Sequence, residues 1–514
     1  MNQTSKPCLR NSVWIALVAG LAISGCVEGP VVVPVNQRQT IDRSLVEYPS
    51  GFELQAIIRN LTAPTAMAFG QDGTLVIVND GMSDRPRIIA YKPDGTAFDI
   101  YPRNISLPFG IAGDKLELVG PIGGMVAANG KVYVAHRDRN RRGVVTAFDI
   151  ATGAPSTVVA DLPTEGEHGV LDLVLSRNDG RLYFSIGSIT NSGVVGLDNW
   201  QQGWVIDHEQ ARDIPAVPLK LLGYRFDTPN PNAGLFGGTD LSVTAPFQAF
   251  GSSNQTWIRP ASKSTASIYS ISPAGGDLRL EAHGIRCARG LAFNDFGRLY
   301  ATDQGMELRG TRPVKDDPDS LLRIIRNTWY GWPDFSTDLV PLTDTRFQPP
   351  PEMIIKTGYP ELAFLVDHQT SGLLRPDRAT LVQAVFPPLS GAAKMDFAPS
   401  NGAFKTYYGS VIVALSGDRA PFATSGKSLL GPVGYKVVQV DVDNRQTHDF
   451  VYNTRQLPAH MFNKHSDALE RPFDVKFGPD GAMYILDLGR VDIKDAKLVP
   501  VSHTGKLLKL MPAQ

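Results

Sequence analysis

The sequence predicts an all-β chain folded as a six-bladed β-propeller with long loop insertions. An apolar run, a polar turn and a second apolar run recur six times along the chain. Most of the turns contain Asn-Gly or Asp-Gly, the dipeptides that favour tight hairpins. The 49 glycines and 38 prolines among 514 residues also suit a turn-rich β protein. A hairpin repeated at intervals of tens of residues is typical of radial repetition, in which only short strand edges stay unpaired.

The six copies share one hairpin pattern, in which alternating apolar residues flank the turn. They begin at Ala66, Met125, Leu173, Leu291, Met395 and Phe473, and the fifth copy is degenerate. In the first copy the turn is Asp72-Gly73, where glycine supplies the positive φ that the turn needs. Six copies predict six blades, and a propeller of this size is expected to fold as one unit.

The intervals between the hairpins are uneven, which predicts long loops. Residues 189–260 form the longest interval and are rich in Gly, Asn, Pro and Trp. We expect part of this insert to supply outer strands and much of it to be loop. Residues 334–351 and 375–388 are shorter Pro-rich segments of the same kind. Since long loops on a rigid β scaffold usually lie over the functional face, the insert either closes over a pocket or docks a partner.

The N-terminal residues predict a targeting segment. Lys6 and Arg10 precede an apolar stretch over residues 13–23 that is too short to span a bilayer. The stretch ends at Cys26 in an Ile-Ser-Gly-Cys sequence, which resembles the lipobox of bacterial lipoprotein signals. The resemblance implies a signal peptide over residues 1–25, cleavage before Cys26, and lipidation of that cysteine. The alternative is an ordinary secretory signal with a chance cysteine.

This signal would anchor the mature protein in the bacterial cell envelope through lipid. Val27 fits sorting to the outer membrane, on its periplasmic side. Residues 26–47 then form the lipidated cysteine and a tether, and residues 48–512 form the propeller. After cleavage and lipidation of Cys26, Cys287 is the one free thiol, so no disulfide can form within the mature chain. The 50 basic and 51 acidic residues give a net charge of -1, without the basic excess expected of a nucleic-acid-binding protein.

Two segments carry more chemistry than the repeat itself. His168 lies in a Gly-Glu-His-Gly sequence just before the third hairpin. We therefore expect it at the inner end of a blade, near the central channel. The second segment includes Arg286 and Arg289 and reaches an Asp-Gln-Gly sequence that ends at Gly305. Further on, residues 330–333 read Tyr-Gly-Trp-Pro.

With these motifs the chain resembles the glucose/sorbosone dehydrogenase family from about Tyr48 to Leu510. The family consists of six-bladed propellers and includes soluble aldose dehydrogenases that use pyrroloquinoline quinone (PQQ). The resemblance implies oxidation of an aldose or a related alcohol. His168 would be the catalytic base, and Arg286 would stabilise charge on the quinone oxygen. Electrons would pass to a quinone or cytochrome acceptor, and the sequence contains no glycine-rich nucleotide-binding fingerprint.

The resemblance also implies binding residues. Gly305 and Met306 match a turn whose backbone carbonyls hold Ca²⁺, a hard cation that prefers oxygen ligands. Arg471 matches an arginine beside the carboxylates of the cofactor, where a guanidinium fork is well suited. Arg289 and Arg419 are candidates to replace cations that the family has nearby.

Several positions depart from the family pattern. Ile122 replaces a glutamine, Cys287 an asparagine, Arg289 a second glutamine, and Ser416 and Phe473 replace cations. Because PQQ carries three carboxylates, fewer cations mean fewer charge-assisted hydrogen bonds. The chain is therefore either a dehydrogenase with a rearranged pocket or a non-catalytic binding or scaffold propeller that has lost the cofactor. A metal-dependent propeller lactonase is a third possibility, which requires carboxylates and an asparagine around a metal in the channel.

For three other groups of residues, the sequence allows both a functional and a structural interpretation. The acidic segment 316–319 could be a second calcium loop, but a solvated turn is favoured. His136 and Arg137 could bind an anion, but a solvated loop is favoured. Trp329 and Trp332 could stack on a sugar, and packing between blades is at least as well supported.

Overall fold

A computed structural model describes residues 29–103, 116–231, 233, 240–353, 361–463, 466–494 and 497–513. Its six antiparallel sheets form a ring of blades, which confirms the predicted six-bladed β-propeller. Cys26 and the rest of the proposed signal lie outside the described residues. Within the described ranges, no helix has the length and apolar character needed to cross a bilayer.

The first three blades each run from an inner strand at the central channel to an outer strand at the rim. The strands of blade 1 are Ala66–Phe69, Leu75–Asn79, Arg87–Tyr91 and Ala97–Tyr101. Those of blade 2 are Met125–Ala128, Lys131–Arg137, Gly143–Asp149 and Pro155–Leu162. Those of blade 3 are Val170–Leu175, Leu182–Ile186, Ser267–Ile271 and Arg279–His283, with Thr328–Trp329 added in parallel at the rim.

The other three blades continue the ring in the same sense. Blade 4 consists of Ala288–Phe293, Leu299–Asp303, Asp319–Ile324 and Val382–Phe386. Blade 5 consists of Ala392–Phe397, Ser410–Leu415, Lys436–Asp441 and Gln446–Asn453. Blade 6 consists of Pro472–Phe477, Met483–Asp487, Gly505–Pro512 and Phe52–Leu61.

The ring is closed by pairing the two ends of the chain. Phe52–Leu61 is the outer strand of blade 6, and Leu54 pairs with Leu510. Two short strands within the segment expected as a tether also pair with blades. Val31–Val32 extends the edge of blade 6, and Val46–Glu47 extends blade 5. Blade 6 is therefore complete only when the N-terminal strand Phe52–Leu61 pairs with the C-terminal strand Gly505–Pro512.

The six repeated hairpins are the two innermost strands of the six blades, as the repeat predicts. Five of the turns place a glycine at positive φ: Gly73, Gly130, Gly180, Gly297 and Gly481. The fifth hairpin, between Ala392–Phe397 and Ser410–Leu415, has a longer connection that contains the 3₁₀ turn Lys405–Tyr407. This longer connection explains why that copy is degenerate in sequence.

The insert 189–260 lies between the second and third strands of blade 3. The expectation that it supplies outer strands is wrong, because blade 3 takes those strands from residues after the insert. The insert instead forms two short helices and two two-stranded sheets. These are Leu197–Gln201, Trp204–Asp207, Leu219–Lys220 with Trp257–Ile258, and Phe226–Pro229 with Leu241–Thr244. Its apolar residues pack against Trp329 at the rim of blade 3 and against Trp332 and Phe335, which follow it in the chain, so both tryptophans are buried packing residues.

The remaining elements are short. They are the helix Arg378–Leu381, the paired strands Val491–Lys494 and Lys497–Pro500, and the 3₁₀ turns Val35–Gln37, Thr345–Phe347, Pro351–Met353, Phe422–Thr424 and Ala459–Met461.

Inner-strand aspartates join neighbouring blades. The carboxylate of Asp172 accepts the backbone N–H of Leu291 at 2.7 Å, which joins blade 3 to blade 4. Asp474 accepts the N–H of Met67 at 3.0 Å, which joins blade 6 to blade 1. These bonds satisfy buried backbone donors that no strand of their own blade could reach. They hold the inner strands together around the channel.

Candidate functional site

A pocket of about 120 Å³ opens at one end of the central channel, and every blade contributes to its wall. Much of the wall is apolar. The apolar lining includes Met82, Pro121, Ile122, Val170, Leu171, Leu389, Phe473, Leu488, Val491 and Leu498. The polar lining consists of Thr65, Arg289, Gln304, Glu307, Asp319, Ser416, Arg419 and Arg471. Apolar walls with a few convergent polar groups are typical of small-molecule sites.

Three of the arginines singled out in the sequence line this pocket. Arg419 is paired with Glu307, so its charge is largely compensated. Arg289 contacts the Sγ atom of Cys287 at 3.7 Å and forms no ion pair within the described residues. Arg471 likewise has no carboxylate partner in that part of the chain. The pocket therefore holds two guanidinium groups without a compensating carboxylate.

Arg471 is nevertheless held firmly in place. Its Nη1 donates to the backbone carbonyls of Ser416 at 3.0 Å and Asp418 at 2.9 Å. Its guanidinium also lies 4.9 Å from the ring centroid of Tyr435, a cation–π contact. These contacts fix the direction of the guanidinium and leave its charge uncompensated. A ligand carboxylate would meet a preorganised partner here.

His168 precedes the inner strand Val170–Leu175 of blade 3 and is only 3% exposed. Its Nδ1 lies 2.9 Å from the backbone carbonyl of Ser188. Because a carbonyl can only accept, Nδ1 carries the proton and Nε2 keeps a free lone pair. Within the described residues Nε2 has no hydrogen-bond partner. The ring therefore presents a proton acceptor.

The surroundings of His168 keep its imidazole neutral. Burial lowers the pKa of His168 well below 6.5, and the positive charges of Arg286, Arg289 and Arg419 lower it further. Gly187 packs directly on the imidazole side chain, and a Cβ there would lie 2.4 Å from the His168 Cβ. Glycine at position 187 therefore allows the close approach that fixes the ring.

Arg286 lies behind the pocket wall and not on its surface. The side chain is 1% exposed and is not among the residues that line the pocket. Its Nε donates to the carbonyl of Asn191 at 2.9 Å, and its Nη1 donates to the carbonyls of Gly305 at 2.9 Å and Gln304 at 3.2 Å. Gln304 and Gly305 do line the pocket, so Arg286 can act on a ligand only through them.

The turn at Gly305 and Met306 is fixed by two buried aspartates. The Gly305 N–H donates to Asp319 at 2.9 Å, and the Met306 N–H donates to Asp317 at 2.7 Å. A Cβ on Gly305 would lie 2.3 Å from the Asp317 carbonyl, so only glycine fits. The interpretation of segment 316–319 as a solvated turn is therefore wrong for Asp317 and Asp319. Their carboxylates are buried because they accept hydrogen bonds from buried backbone N–H groups.

One carbonyl oxygen of this turn, expected as a calcium ligand, already has a cation beside it. The carbonyl of Gly305 already accepts from the guanidinium of Arg286, which places a positive charge beside the expected cation position. Across the described ranges, no group of three or more His, Cys, Asp or Glu residues could hold a metal ion. The part of the chain that the structure describes therefore holds no carboxylate centre of the kind that the lactonase possibility requires.

Sequence reasoning missed three polar residues of the pocket. Gln304 donates to the Ala392 carbonyl at 2.9 Å, and its place directly after an inner hairpin could have revealed it. Thr65 lies directly before the first hairpin, and its position beside an inner strand could have revealed it as well. Glu307 gives no local signal, because its role depends on Arg309 and Arg419. Burial alone would raise the pKa of Glu307, but the two arginines hold it at about 2, so the carboxylate is ionised.

The interpretation of His136 and Arg137 as a solvated loop is also wrong. Both residues end the strand Lys131–Arg137 and are buried. The Nε2 of His136 bonds the Thr146 hydroxyl at 2.8 Å, and Arg137 donates to the carbonyl of Gly166 at 2.8 Å. The expectation fails because the strand runs two residues beyond its apolar pattern.

The comparisons with known proteins agree with the fold. A scan against protein-family models finds no match, and a search of curated proteins finds no relative. A similar solved structure is the "Iodide structure of Trichoderma reesei Carbohydrate-Active Enzymes Family AA12". It has a TM-score of 0.51 and 15% identity, covering 92% of this chain and 99% of that chain. The "Calcium structure" of the same protein has a TM-score of 0.50, with equal identity and coverage.

A third similar structure is the "Holo form of Pyranose Dehydrogenase PQQ domain from Coprinopsis cinerea". It has a TM-score of 0.49 and 13% identity, and it covers 91% of this chain and 98% of that chain. At such identities the likeness to the Trichoderma reesei structures shows a shared propeller fold. The chain is thus a six-bladed propeller with a basic pocket at its channel mouth, and its chemistry has to be argued from its own residues.

Proposed function

We propose that this chain is a dehydrogenase that oxidises a sugar or a related alcohol with a bound quinone of the PQQ type. One observation carries the proposal: His168 is a buried, neutral imidazole with a fixed tautomer, and it directly precedes Gly169 and Val170 in the wall of a basic pocket. The fold it shares with a carbohydrate-active enzyme supports the substrate class. The function rests on the site and not on the fold alone.

The donor set of the pocket suits PQQ. The apolar side chains of Ile122, Leu171 and Phe473 suit a planar ring system. The uncompensated guanidinium groups of Arg289 and Arg471 suit two carboxylates, since an arginine fork matches a carboxylate in geometry and charge. A third carboxylate would have to share Arg419 with Glu307.

In the proposed reaction, Nε2 of His168 accepts the proton of the substrate hydroxyl. A bound quinone would supply the acceptor for the hydride, and hence for both electrons, before they pass to a quinone or cytochrome partner. The carbonyl of Ser188 retains the Nδ1 proton and stabilises the imidazolium as it forms. The apolar walls limit the access of water and strengthen the electrostatic contacts of the site.

Exchanging Arg289 or Arg471 for methionine should weaken PQQ binding about 10- to 100-fold in each case. The reason is the loss of a charge-assisted hydrogen bond of about 1.5–3 kcal/mol. The measurement is an absorbance titration of PQQ into each purified variant. Arg326→Met is the matched control, because its side chain is 60% exposed and pairs with Glu281 on the outside of the propeller. Unchanged affinity in both pocket variants would contradict the assignment of the cofactor site.

A non-catalytic binding propeller is the second candidate, and one observation favours it. Ile122, Ser416 and Phe473, three of the positions that depart from the family pattern, all line the pocket. The pocket therefore lacks side-chain partners that the family offers to PQQ. A chain that binds a small anion but not PQQ would support this candidate.

We also propose that the protein is a lipoprotein of the bacterial cell envelope, on the basis of the Ile-Ser-Gly-Cys sequence at Cys26. Expression in a bacterial host with radiolabelled palmitate should label the wild type and not Cys26→Ala. Cys287→Ala is the control and should be labelled like the wild type, since Cys287 is buried in blade 4. Label on Cys26→Ala would show that the anchor was misassigned.

A further inference from the structure

Four oxygen atoms behind the pocket wall converge on the guanidinium of Arg286. Three are the backbone carbonyls of Asn191, Gln304 and Gly305, at 2.9, 3.2 and 2.9 Å. The fourth is the side-chain Oδ1 of Asn191, at 3.0 Å from Nη2. Such a set of neutral oxygen atoms resembles what a hard cation requires of a protein. In this protein the cation among these oxygen atoms is the guanidinium of Arg286.

The cage formed by Asn191, Gln304 and Gly305 is rigid. The Oδ1 of Asn191 also accepts the N–H of Glu307 at 2.8 Å. Its Nδ2 donates to the carbonyls of Glu307 at 2.8 Å and Arg309 at 3.2 Å. The amide of Asn191 therefore cannot turn without breaking three further hydrogen bonds. The oxygen atoms stay directed at Arg286 whether or not the pocket is filled.

Among the described residues, the one carboxylate within 4.0 Å of the Arg286 guanidinium is already paired with another arginine. The carboxylate of Glu167 lies 4.0 Å from Nη2 of Arg286, but it is engaged by Arg309 through contacts of 2.9 and 2.6 Å. The guanidinium of an arginine carries a permanent positive charge in proteins. A second cation coordinated by Gly305 would thus lie next to a permanent, buried positive charge.

We infer that Arg286 is the resident cation of this cage and that the pocket binds its ligand without a divalent metal ion. Arg286 is then a positioning residue, which fixes the wall at Gln304 and Gly305. The inference rests on the proposed function only in the choice of PQQ as the ligand. It differs from the expectation that Gly305 and Met306 hold Ca²⁺ for the cofactor.

The inference predicts that removing the guanidinium creates a calcium site. In Arg286→Ala the four oxygen atoms lose their cation, so CaCl₂ should raise the Tm of the variant by about 2 °C or more. The wild type should show no rise in Tm, and Arg286→Lys should behave like the wild type because it keeps the charge. The full-length chain in detergent is the sample. A rise for the wild type, or none for Arg286→Ala, would overturn the inference.

A second measurement covers the case in which Arg286→Ala fails to fold. PQQ is titrated into the wild type in EDTA and in CaCl₂, and the two affinities should agree within about twofold. Binding about tenfold or more tighter with Ca²⁺ would overturn the inference and leave the proposed function intact. If PQQ binds in neither buffer, the proposed function fails, and the response of the wild-type Tm to CaCl₂ still decides the inference.

Discussion

His168→Ala is expected to lower kcat by about 10²- to 10⁴-fold and to leave the affinity for PQQ within about threefold. The decrease in kcat is the size expected when a positioned general base is removed. Affinity should be retained because the imidazole donates its proton to the Ser188 carbonyl and is not among the residues that line the pocket. Reduction of a dye acceptor, followed over a panel of aldoses and polyols, measures the first quantity, and the absorbance titration measures the second.

His448→Ala is the matched control, because it removes an exposed histidine from the outer strand of blade 5. Its kcat should equal that of the wild type. A His168→Ala variant that keeps wild-type kcat would assign the base to another group. A variant that loses both kcat and PQQ binding would point to a structural role for the imidazole.

The pH profile gives an independent test of the same residue. Burial and neighbouring positive charge lower the pKa of His168, so Nε2 remains unprotonated as the pH falls through 6.5. The acid limb of kcat/KM should therefore lie well below pH 6.5. An acid limb at the ordinary pKa of histidine would show that the base is solvent-exposed and is not His168.

Asp172→Ala should lower the free energy of unfolding by about 3–5 kcal/mol. Asp172 and Lys394 face each other in the central channel with 2% and 1% exposure, and their charged atoms lie 3.2 Å apart. The other bond of Lys394 is to the Gly123 carbonyl, at 2.5 Å. Removing the aspartate leaves a buried lysine without its counter-ion, which is the costly way to break such a pair. The N–H of Leu291 also loses its acceptor.

Chemical denaturation followed by fluorescence and circular dichroism measures this loss. Removing both charges, as in Asp172→Leu with Lys394→Met, should recover most of the stability, because no unpaired charge then remains. A loss below about 1 kcal/mol for Asp172→Ala would mean that water reaches the channel and solvates Lys394. The pair would then contribute little to holding blades 2 to 5 together.

The repeat and the ends of the inner strands could be predicted because their signals are local. A turn such as Asp72-Gly73 needs no distant partner, and each hairpin lies within about 25 residues of sequence. The position of His168 follows in the same way, since it depends only on where the next strand begins. The pocket arginines were found through a resemblance to a family and not from the pattern of the sequence.

The contacts that decide the site could not be predicted because they join distant residues. Asp172 and Lys394 are 222 positions apart, and Asn191 and Arg286 are 95 apart. No local pattern shows that two of the four oxygen atoms around the Arg286 guanidinium come from Asn191, in the insert of blade 3. The prediction of outer strands in the insert is wrong because its short strands pair with each other and not with a blade. The repeat thus predicts the fold, but no pattern in the sequence predicts how the charges in the pocket are paired.

We propose above that the pocket at the channel mouth holds a PQQ-type quinone. An absorbance titration of PQQ into the full-length chain tests it most directly, with the double variant Arg289→Met and Arg471→Met as the control. The expected result is saturable binding with a Kd of about 1 μM or tighter, lost in the double variant. Absence of binding at about 50 μM PQQ, both in EDTA and in CaCl₂, would contradict the claim and favour a propeller that only binds other molecules.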